Sequence, residues 1–276
     1  MNNQLENLEL NELQFKRISR ILNQASGIHL RLGKEELVRS RLLKRLRFLG
    51  LACFDEYVDY IERETSGTEM ILMIDALTTN KTSFFRECKH FDFLSKYVLP
   101  EKLTEGSKIR IWSAGCSSGE EPYSLAVLLM ESIPNIENLD VKILATDICT
   151  EMLTSAREGC FGKQQLEETP PDLLKKYFTK KGNSEKVVFQ VRDEARALVH
   201  FAKLNLMDCW PMKGCFDIIF CRNVMFYFSR LTREMLVERL SSKLNRNGYL
   251  FIGHSESLAS KRTDLRYVRP SVYVKP

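Results

Sequence analysis

Residues 109–124 read IRIWSAGCSSGEEPYS, and this stretch decides the fold of the second half of the chain. An apolar, strand-like run at Ile109–Ser113 leads into a turn of small residues. A helical pattern follows, with Pro122 in its first turn, where a proline is tolerated. A strand, a small-residue turn and a helix in this order are typical of the ligand-binding loop of a doubly wound sheet. Small residues let a ligand approach the backbone, and the helix start offers unpaired amides.

The rest of this half alternates short strand-like runs with helical runs. The strand-like runs are Val141–Thr146, His200–Leu204, Phe216–Cys221 and Tyr249–Gly253, and the helical runs are Glu120–Glu131, Glu151–Glu158 and Ser229–Leu244. This alternation predicts an α/β fold with a mostly parallel, doubly wound sheet. Arg266–Val268 and Val272–Val274 predict a C-terminal antiparallel hairpin. The alternation of strand-like and helical runs is interrupted at about 160–199, where we predict a small antiparallel β insertion.

Residues 1–80 show only helical periodicity, so we predict a helical N-terminal domain there. In Lys34–Leu49 the apolar residues lie on one face, and four basic residues lie mainly on the other: Arg41, Lys44, Arg45 and Arg47. Between Gln14 and Leu49, ten basic residues oppose two acidic ones, giving a net charge of +8. Such a patch favours an acidic partner, which is a nucleic acid, an anionic lipid or an acidic protein surface.

The composition excludes several protein classes. With 44% hydrophobic and 28% charged residues among 276, the chain is typical of a globular protein and not of a disordered or fibrous one. No uncharged stretch approaches the about 20 residues of a membrane-spanning helix, and the acidic first 13 residues do not resemble a signal peptide. We therefore expect a soluble, cytoplasmic protein. Eight cysteines without a Cys-x-x-Cys pair predict reduced, mostly buried thiols and no metal site.

Two interpretations of the Gly115 loop compete. Gly115–Gly119 matches G-x-S-x-G, the nucleophile elbow of serine hydrolases, with His254 as a candidate base. The 108 helical residues before it argue against this, because an elbow normally follows several strands. In the other interpretation the loop binds a nucleoside. Asp147, at the end of the second strand, then accepts hydrogen bonds from a ribose, unless it caps the next helix. Arg222 and Asn223, at the end of a buried strand, face a ligand.

Seven ordered motifs together resemble the chemotaxis receptor methyltransferases, the CheR family. They are RLLKRLRFLGL (Arg41–Leu51), NKTSFFRE (Asn80–Glu87), WSAGCSSGEEPYS (Trp112–Ser124), ATDI (Ala145–Ile148), NLMD (Asn205–Asp208), FDIIFCRNVMFYF (Phe216–Phe228) and GHSES (Gly253–Ser257). The resemblance implies a class I methyltransferase-like domain at 108–276, preceded by a linker at 81–107 that contributes to the cofactor site. It also implies methyl transfer from S-adenosylmethionine to glutamate carboxylates of chemoreceptors, which leaves S-adenosylhomocysteine.

The resemblance also implies residue roles. Arg86 and Tyr227 match the residues that the family places nearest the transferred methyl group. The cofactor contacts carry over to Asn80, Thr82, Arg86, Gly115, Glu121, Asp147, Asn205, Leu206, Arg222 and Asn223, with Glu120 as the alternative to Glu121. The chemistry agrees, because a glutamate side chain with a pKa near 4.3 is an ionised nucleophile at pH 7 and needs no general base.

The implied partner is the cytoplasmic helical domain of methyl-accepting chemotaxis receptors. The four basic residues Arg41, Lys44, Arg45 and Arg47 dock on it, unless their face is merely solvated. We expect a monomer that does not bind nucleic acid, because Arg222–Met225 stands where base methyltransferases carry Asn/Asp-Pro-Pro-Tyr/Phe. The alternative function is a non-catalytic cofactor sensor, which has no need of Arg86 and Tyr227. The resemblance leaves open the receptor, its modified glutamates and whether the β insertion grips a receptor peptide.

Overall fold

A computed structural model describes residues 8–78, 80–103, 108–182, 187–258 and 263–276. The chain divides into two compact units. The first contains residues 1–79 together with 227–232, and the second contains 80–226 together with 233–276.

The first unit is helical. Its helices are α1 (Glu12–Ser26), α2 (Glu35–Leu49), α3 (Phe54–Arg63) and α4 (Thr68–Leu77). α1 begins with a capping box between Asn11 and Gln14, which satisfies two backbone N–H groups at its start. α2 ends at Gly50 in the left-handed conformation, as its sequence predicts. Residues 227–232 join this unit through an isolated bridge between Ile28 and Phe228.

The second unit is built on a seven-stranded sheet, and the α/β prediction is confirmed. Its strands, in chain order with those of the insertion, are β1 (Lys108–Ala114), β2 (Asp140–Asp147), β3 (Cys160–Gly162), β4 (Phe178–Gly182), β5 (Val187–Val191), β6 (Val199–Lys203), β7 (Phe216–Cys221), β8 (Leu244–Ile252), β9 (Arg266–Arg269) and β10 (Val272–Val274). The large sheet has the order β6-β2-β1-β7-β8-β10-β9. The first five strands in that order are parallel, and the β9–β10 hairpin adds antiparallel strands at one edge.

The insertion forms a separate three-stranded antiparallel sheet with the order β3-β5-β4. This confirms the predicted small antiparallel element. Of its strands, only β5 (Val187–Val191) has the apolar run of a strand in the sequence. β3 has only three residues, and β4 reads FTKKG with four of its five residues exposed, so neither shows the apolar alternation of a buried strand.

The helices of the second unit are α5 (Lys89–Phe93), a π-helical turn (Leu94–Val98), α6 (Leu99–Lys102), α7 (Glu120–Ser132), α8 (Thr150–Glu158), α9 (Pro171–Tyr177), α10 (Asp193–Arg196) and α11 (Arg230–Ser242). Aromatic rings dominate the core next to the central strands. Phe220 of β7 stacks on Phe251 of β8 at 4.3 Å between ring centroids, and Phe91 lies 6.0 Å from Phe220. Residues 89–102 are therefore part of the folded core of this unit.

All eight cysteines are thiols and not part of disulfides. Only Cys116, Cys149 and Cys221 are buried, so the expectation that most of them would be buried is wrong. In the part of the chain that the structure describes, no helix has both the length and the apolar character needed to cross a membrane.

Candidate functional site

The predicted site residues follow the carboxyl ends of neighbouring parallel strands. Gly115 follows β1, Asp147 ends β2, Asn205 follows β6 and Arg222 follows β7, and the GHSES motif begins at Gly253, directly after β8. Because these strands are parallel and adjacent, their carboxyl ends lie along the same edge of the sheet. That edge is where open α/β sheets bind ligands.

Backbone amides hold the Asp147 carboxylate in place. Ser117 N donates to Oδ2 at 2.8 Å, and Cys149 N donates to Oδ1 at 2.9 Å. The N-cap of α8 is Cys149 and makes no side-chain cap bond, so Asp147 does not cap that helix. Gly115 adopts a φ of +84°, and a Cβ there would lie 2.4 Å from Val224 Cγ2. A side chain at this position would therefore strain the loop after β1.

Asn80 is brought to the same loop. Its carbonyl accepts a hydrogen bond from Ser117 Oγ at 3.1 Å, and its Nδ2 lies 3.8 Å from Cys149 Sγ. Ser117 Oγ therefore donates to a backbone carbonyl and not to a histidine. The His254 ring instead lies beside Glu87, with Nε2 4.0 Å from Oε2. The geometry does not form the Ser–His pair that a hydrolase needs.

A buried ion network lies beside this loop, centred on Arg222, whose side chain is only 2% exposed. Its Nε lies 2.9 Å from Glu121 Oε2, and its Nη1 lies 3.3 Å from His90 Nδ1 and 3.9 Å from Glu87 Oε2. Ser113 Oγ donates to Glu121 Oε1 at 2.7 Å. Burial raises the pKa of Glu121, while the Arg222 charge acts in the opposite direction.

The two adjacent glutamates at the start of α7 have different partners. Glu121 contacts Ser113 and Arg222 at the ends of β1 and β7, whereas Glu120 accepts hydrogen bonds from Gln165 at 2.8 Å and Ser118 at 2.7 Å. Glu120 is thus engaged with its own loop and with the insertion. This arrangement favours Glu121 over Glu120 as the cofactor contact.

The network leaves buried polar atoms without a complete hydrogen bond. Glu87 Oε2 and Arg222 Nε are both buried and lack one, although each has an opposite charge within 4 Å. Buried polar atoms are normally satisfied, so an unsatisfied one calls for an explanation such as strain, a catalytic role or a bound water or ion. A polar ligand at this site would account for these two atoms.

One group of side chains in the described part of the chain has the composition of a metal site: Glu87, His90 and His254, whose ligand atoms lie within 4.8 Å of one another. The guanidinium of Arg222 already approaches both His90 and Glu87. Its positive charge opposes a cation in the same space, so this group is better described as part of the ion network.

Strained backbone also concentrates here. Among the described residues, the non-glycine residues with positive φ are Phe85, Glu87, Ser117, Asn135, Asn223, Asn247 and Ser271. Four of these seven lie in the segments that carry the predicted site residues, and Phe85 and Glu87 directly flank Arg86. Left-handed conformations in non-glycine residues cost free energy, and they cluster at active sites.

The other predicted site residues lie in the same segments. Arg86 Nη1 donates to Lys81 O at 2.9 Å, in the segment that also contains Thr82. Asn205 makes a local turn by accepting from Met207 N at 3.0 Å, and it precedes the buried Leu206. Tyr227 belongs to the first unit, where its carbonyl accepts from His29 N at 2.7 Å. The proximity of Arg86 and Tyr227 stays a prediction.

The structure separates the four predicted docking residues into two pairs. Arg41 donates to the last carbonyls of α4, at 3.0 Å to Leu77 O and 2.7 Å to Thr78 O. Arg45 makes a two-fold contact with the buried Glu69, at 3.0 and 2.6 Å. These two side chains thus stabilise the helical unit itself. Lys44 and Arg47 are exposed, next to Phe48, which is 76% exposed.

The motifs contained further site residues that the sequence did not reveal. Glu87 and Glu256 lie inside NKTSFFRE and GHSES, but they were not assigned roles. His90 lies outside every motif, and it was missed together with Ser113. His90 and His254 both contact the network through Glu87.

The sequence matches two family descriptions along almost its full length. Residues 80–274 match the CheR methyltransferase SAM-binding domain, and residues 13–78 match the CheR methyltransferase all-alpha domain. The chain is 42% identical over 276 residues to the chemotaxis protein methyltransferase of Borreliella burgdorferi, an alignment that covers 98% of this chain and 96% of that protein. It is 38% identical over 255 residues to the Escherichia coli chemotaxis protein methyltransferase, with 92% and 87% covered.

The network makes stability depend on pH through His90. Burial, reinforced by the Arg222 charge, lowers the pKa of His90 to about 3. An unfolded histidine has a pKa of about 6.5, so between these values only the unfolded chain binds the proton and stability falls as pH falls. For this group alone we expect a loss of about 2 kcal/mol between pH 7 and pH 5.

Urea unfolding at both pH values checks this prediction. In His90→Asn the pH-dependent loss should be smaller than in the wild type, whereas His200→Asn, at an exposed position, should not change it. An equal loss in His90→Asn and the wild type would show that His90 is not held neutral.

Proposed function

The chain belongs to the CheR methyltransferase family, and from that membership we propose that it is a protein-glutamate O-methyltransferase acting on chemoreceptors. The resemblance read from the sequence motifs is confirmed by both domain matches. The observation that carries the proposal is the Asp147 carboxylate, fixed by two backbone amides at the end of β2 in a SAM-binding domain.

The site residues divide the binding of S-adenosylmethionine among them. Asp147 accepts the ribose hydroxyls, and Asn205 and Leu206 border the adenine. Glu121, oriented by Ser113 and Arg222, offers a carboxylate to a cationic group. The bound cofactor supplies an electrophilic methyl group on a positively charged sulfur.

Arg86 and Tyr227 act on the substrate. One guanidinium nitrogen of Arg86 is used by the Lys81 carbonyl, and the planar fork provides further donors for a carboxylate. Tyr227 contributes a hydroxyl hydrogen bond or shapes the path of the methyl group. The substrate glutamate is already ionised at pH 7, so the protein has only to orient its oxygen in line with the methyl carbon. No residue has to remove a proton.

We expect the purified protein to transfer label from methyl-labelled S-adenosylmethionine to receptor-containing membranes. Mild base should then release the label as methanol, because carboxyl methyl esters hydrolyse in base and N-methyl groups do not. Membranes from cells without chemoreceptors are the control. Label on the receptor that survives base would contradict glutamate O-methylation.

Asp147→Ala should weaken binding of S-adenosylhomocysteine by about 1.5–3 kcal/mol, the usual loss for charge-assisted hydrogen bonds. Calorimetry measures this directly. Asp140→Ala is the matched control, because Asp140 pairs with Arg110 at the opposite end of the same strand. Equal affinities for Asp147→Ala and the wild type would remove Asp147 from the site.

The exposed basic pair Lys44 and Arg47 should govern the encounter with the receptor and not the chemistry. Reversing both charges in Lys44→Glu/Arg47→Glu should lower the apparent affinity for receptor and flatten its salt dependence, because exposed charges are screened beyond about 8 Å at physiological salt. Methylation rates at low and high ionic strength, with cofactor affinity measured alongside, check this.

A second double reversal, Lys142→Glu/Lys213→Glu, changes the net charge equally at exposed positions of the other unit. It should leave the salt dependence of receptor methylation near that of the wild type. Normal methylation by Lys44→Glu/Arg47→Glu at both salt concentrations would mean that the basic face is only solvated.

A further inference from the structure

Glu256 is a carboxylate of the GHSES motif for which the sequence predicts no role. It lies in the turn after β8 and is only 9% exposed. Its Oε2 accepts the backbone N–H of Gly253 at 2.7 Å and of Asn223 at 3.0 Å, and its Oε1 accepts that of Met225 at 2.8 Å. Both oxygens thus act as acceptors for main-chain donors.

These three bonds join the ends of two adjacent parallel strands. Gly253 follows β8, whereas Asn223 and Met225 follow β7. Asn223 has a φ of +57°, so its backbone is strained and requires outside support to persist. Glu256 provides that support by binding the amide of the strained residue itself and the amide two residues later.

The segment that Glu256 holds carries several predicted site residues. Arg222, which orients Glu121, immediately precedes the bound amides, and Tyr227 follows two residues after Met225 in the sequence. The Asn223 side chain approaches Glu87 Oε1 at 3.5 Å. A change at Glu256 therefore acts on cofactor-binding side chains through their backbone.

The main chain at Gly253 approaches Asn223 and the Glu256 carboxylate closely. A Cβ at Gly253 would lie 2.5 Å from Asn223 Nδ2 and 2.9 Å from Glu256 Oε2. An amide in place of the carboxylate turns one oxygen into a donor that faces a main-chain donor. An aspartate in place of Glu256 keeps both acceptor oxygens, but its side chain is shorter, so the oxygens lie farther from the three main-chain donors.

We propose that Glu256 is a positioning residue of the cofactor site, which fixes the Arg222–Met225 turn by two main-chain hydrogen bonds and ties it to the end of β8 by a third, from Gly253 N. The proposal rests on the proposed function only for the identity of the ligand. Binding of S-adenosylhomocysteine to the wild type tests the proposed function, whereas the ratio of the variant's affinity to that of the wild type tests the role of Glu256.

The experiment titrates S-adenosylhomocysteine into the full chain by calorimetry, well below the melting temperature of each variant. Glu256→Gln should raise the Kd by about tenfold or more, the effect of losing charge-assisted hydrogen bonds. Glu256→Asp, which keeps the acceptors, should recover part of the loss. The control is Asp217→Asn, at the opposite end of β7, where Asp217 accepts from Arg110 N at 2.8 Å and Asn245 Nδ2 at 2.8 Å.

Asp217→Asn should lower the melting temperature and leave the Kd within about twofold of the wild type. A Kd for Glu256→Gln within twofold of the wild type would overturn the proposal, whatever its melting temperature. If Glu256→Gln does not fold, Glu256→Asp decides. A raised Kd in that variant supports the positioning role, and an unchanged Kd overturns it.

Discussion

The rest of the site depends on the buried guanidinium of Arg222. It is the positive charge that two carboxylates share, the buried Glu121 at 2.9 Å and the half-buried Glu87 at 3.9 Å. Without it, the buried Glu121 would lose its countercharge, which is among the most costly single changes in a protein interior. The guanidinium also lies 5.6 and 5.7 Å from the ring centroids of Phe91 and Phe220, so it is in contact with the aromatic core. The Arg222 guanidinium therefore both compensates the carboxylate charges of the site and packs against the aromatic core.

Sequence periodicity predicted the central elements well, because each is buried in a regular way. β7 has the predicted bounds, and α7 begins at the predicted Glu120. The helical region at 89–102 was not predicted. It consists of two short α-helices joined by a π-helical turn at Leu94–Val98, and the wider turn shifts the apolar residues out of a 3.6-residue period. The helical periodicity is hidden here by the π-helical turn of the backbone, and not by the residue composition.

The site was predicted as far as topology alone determines it. Residues placed at strand ends, such as Asp147 and Arg222, meet because parallel strands end at one edge. Glu87 and Glu256 act through main-chain amides of distant segments, which no residue spacing reveals. The net charge of residues 14–49 also shows that sequence spacing does not reveal distant partners. Arg17 pairs with Asp59 and Glu62 of α3, and Arg45 pairs with Glu69, so a net charge of +8 over 14–49 counted cations whose partners lie elsewhere in the chain.

Three of the four strained residues of the site, Phe85, Ser117 and Asn223, share one kind of support. Phe85 N donates to Ser124 Oγ at 2.9 Å, Ser117 N to Asp147 Oδ2 at 2.8 Å and Asn223 N to Glu256 Oε2 at 3.0 Å. In each case the main-chain donor of a left-handed residue is bound by a side chain at least thirty positions away in the sequence. Isolated loops of these sequences would relax to unstrained backbone, because the strain is offset only by acceptors that the folded sheet supplies. The conformation of the site is thus a consequence of the completed fold. The sequence motifs therefore indicated where the site lies, but they could not predict its backbone conformation.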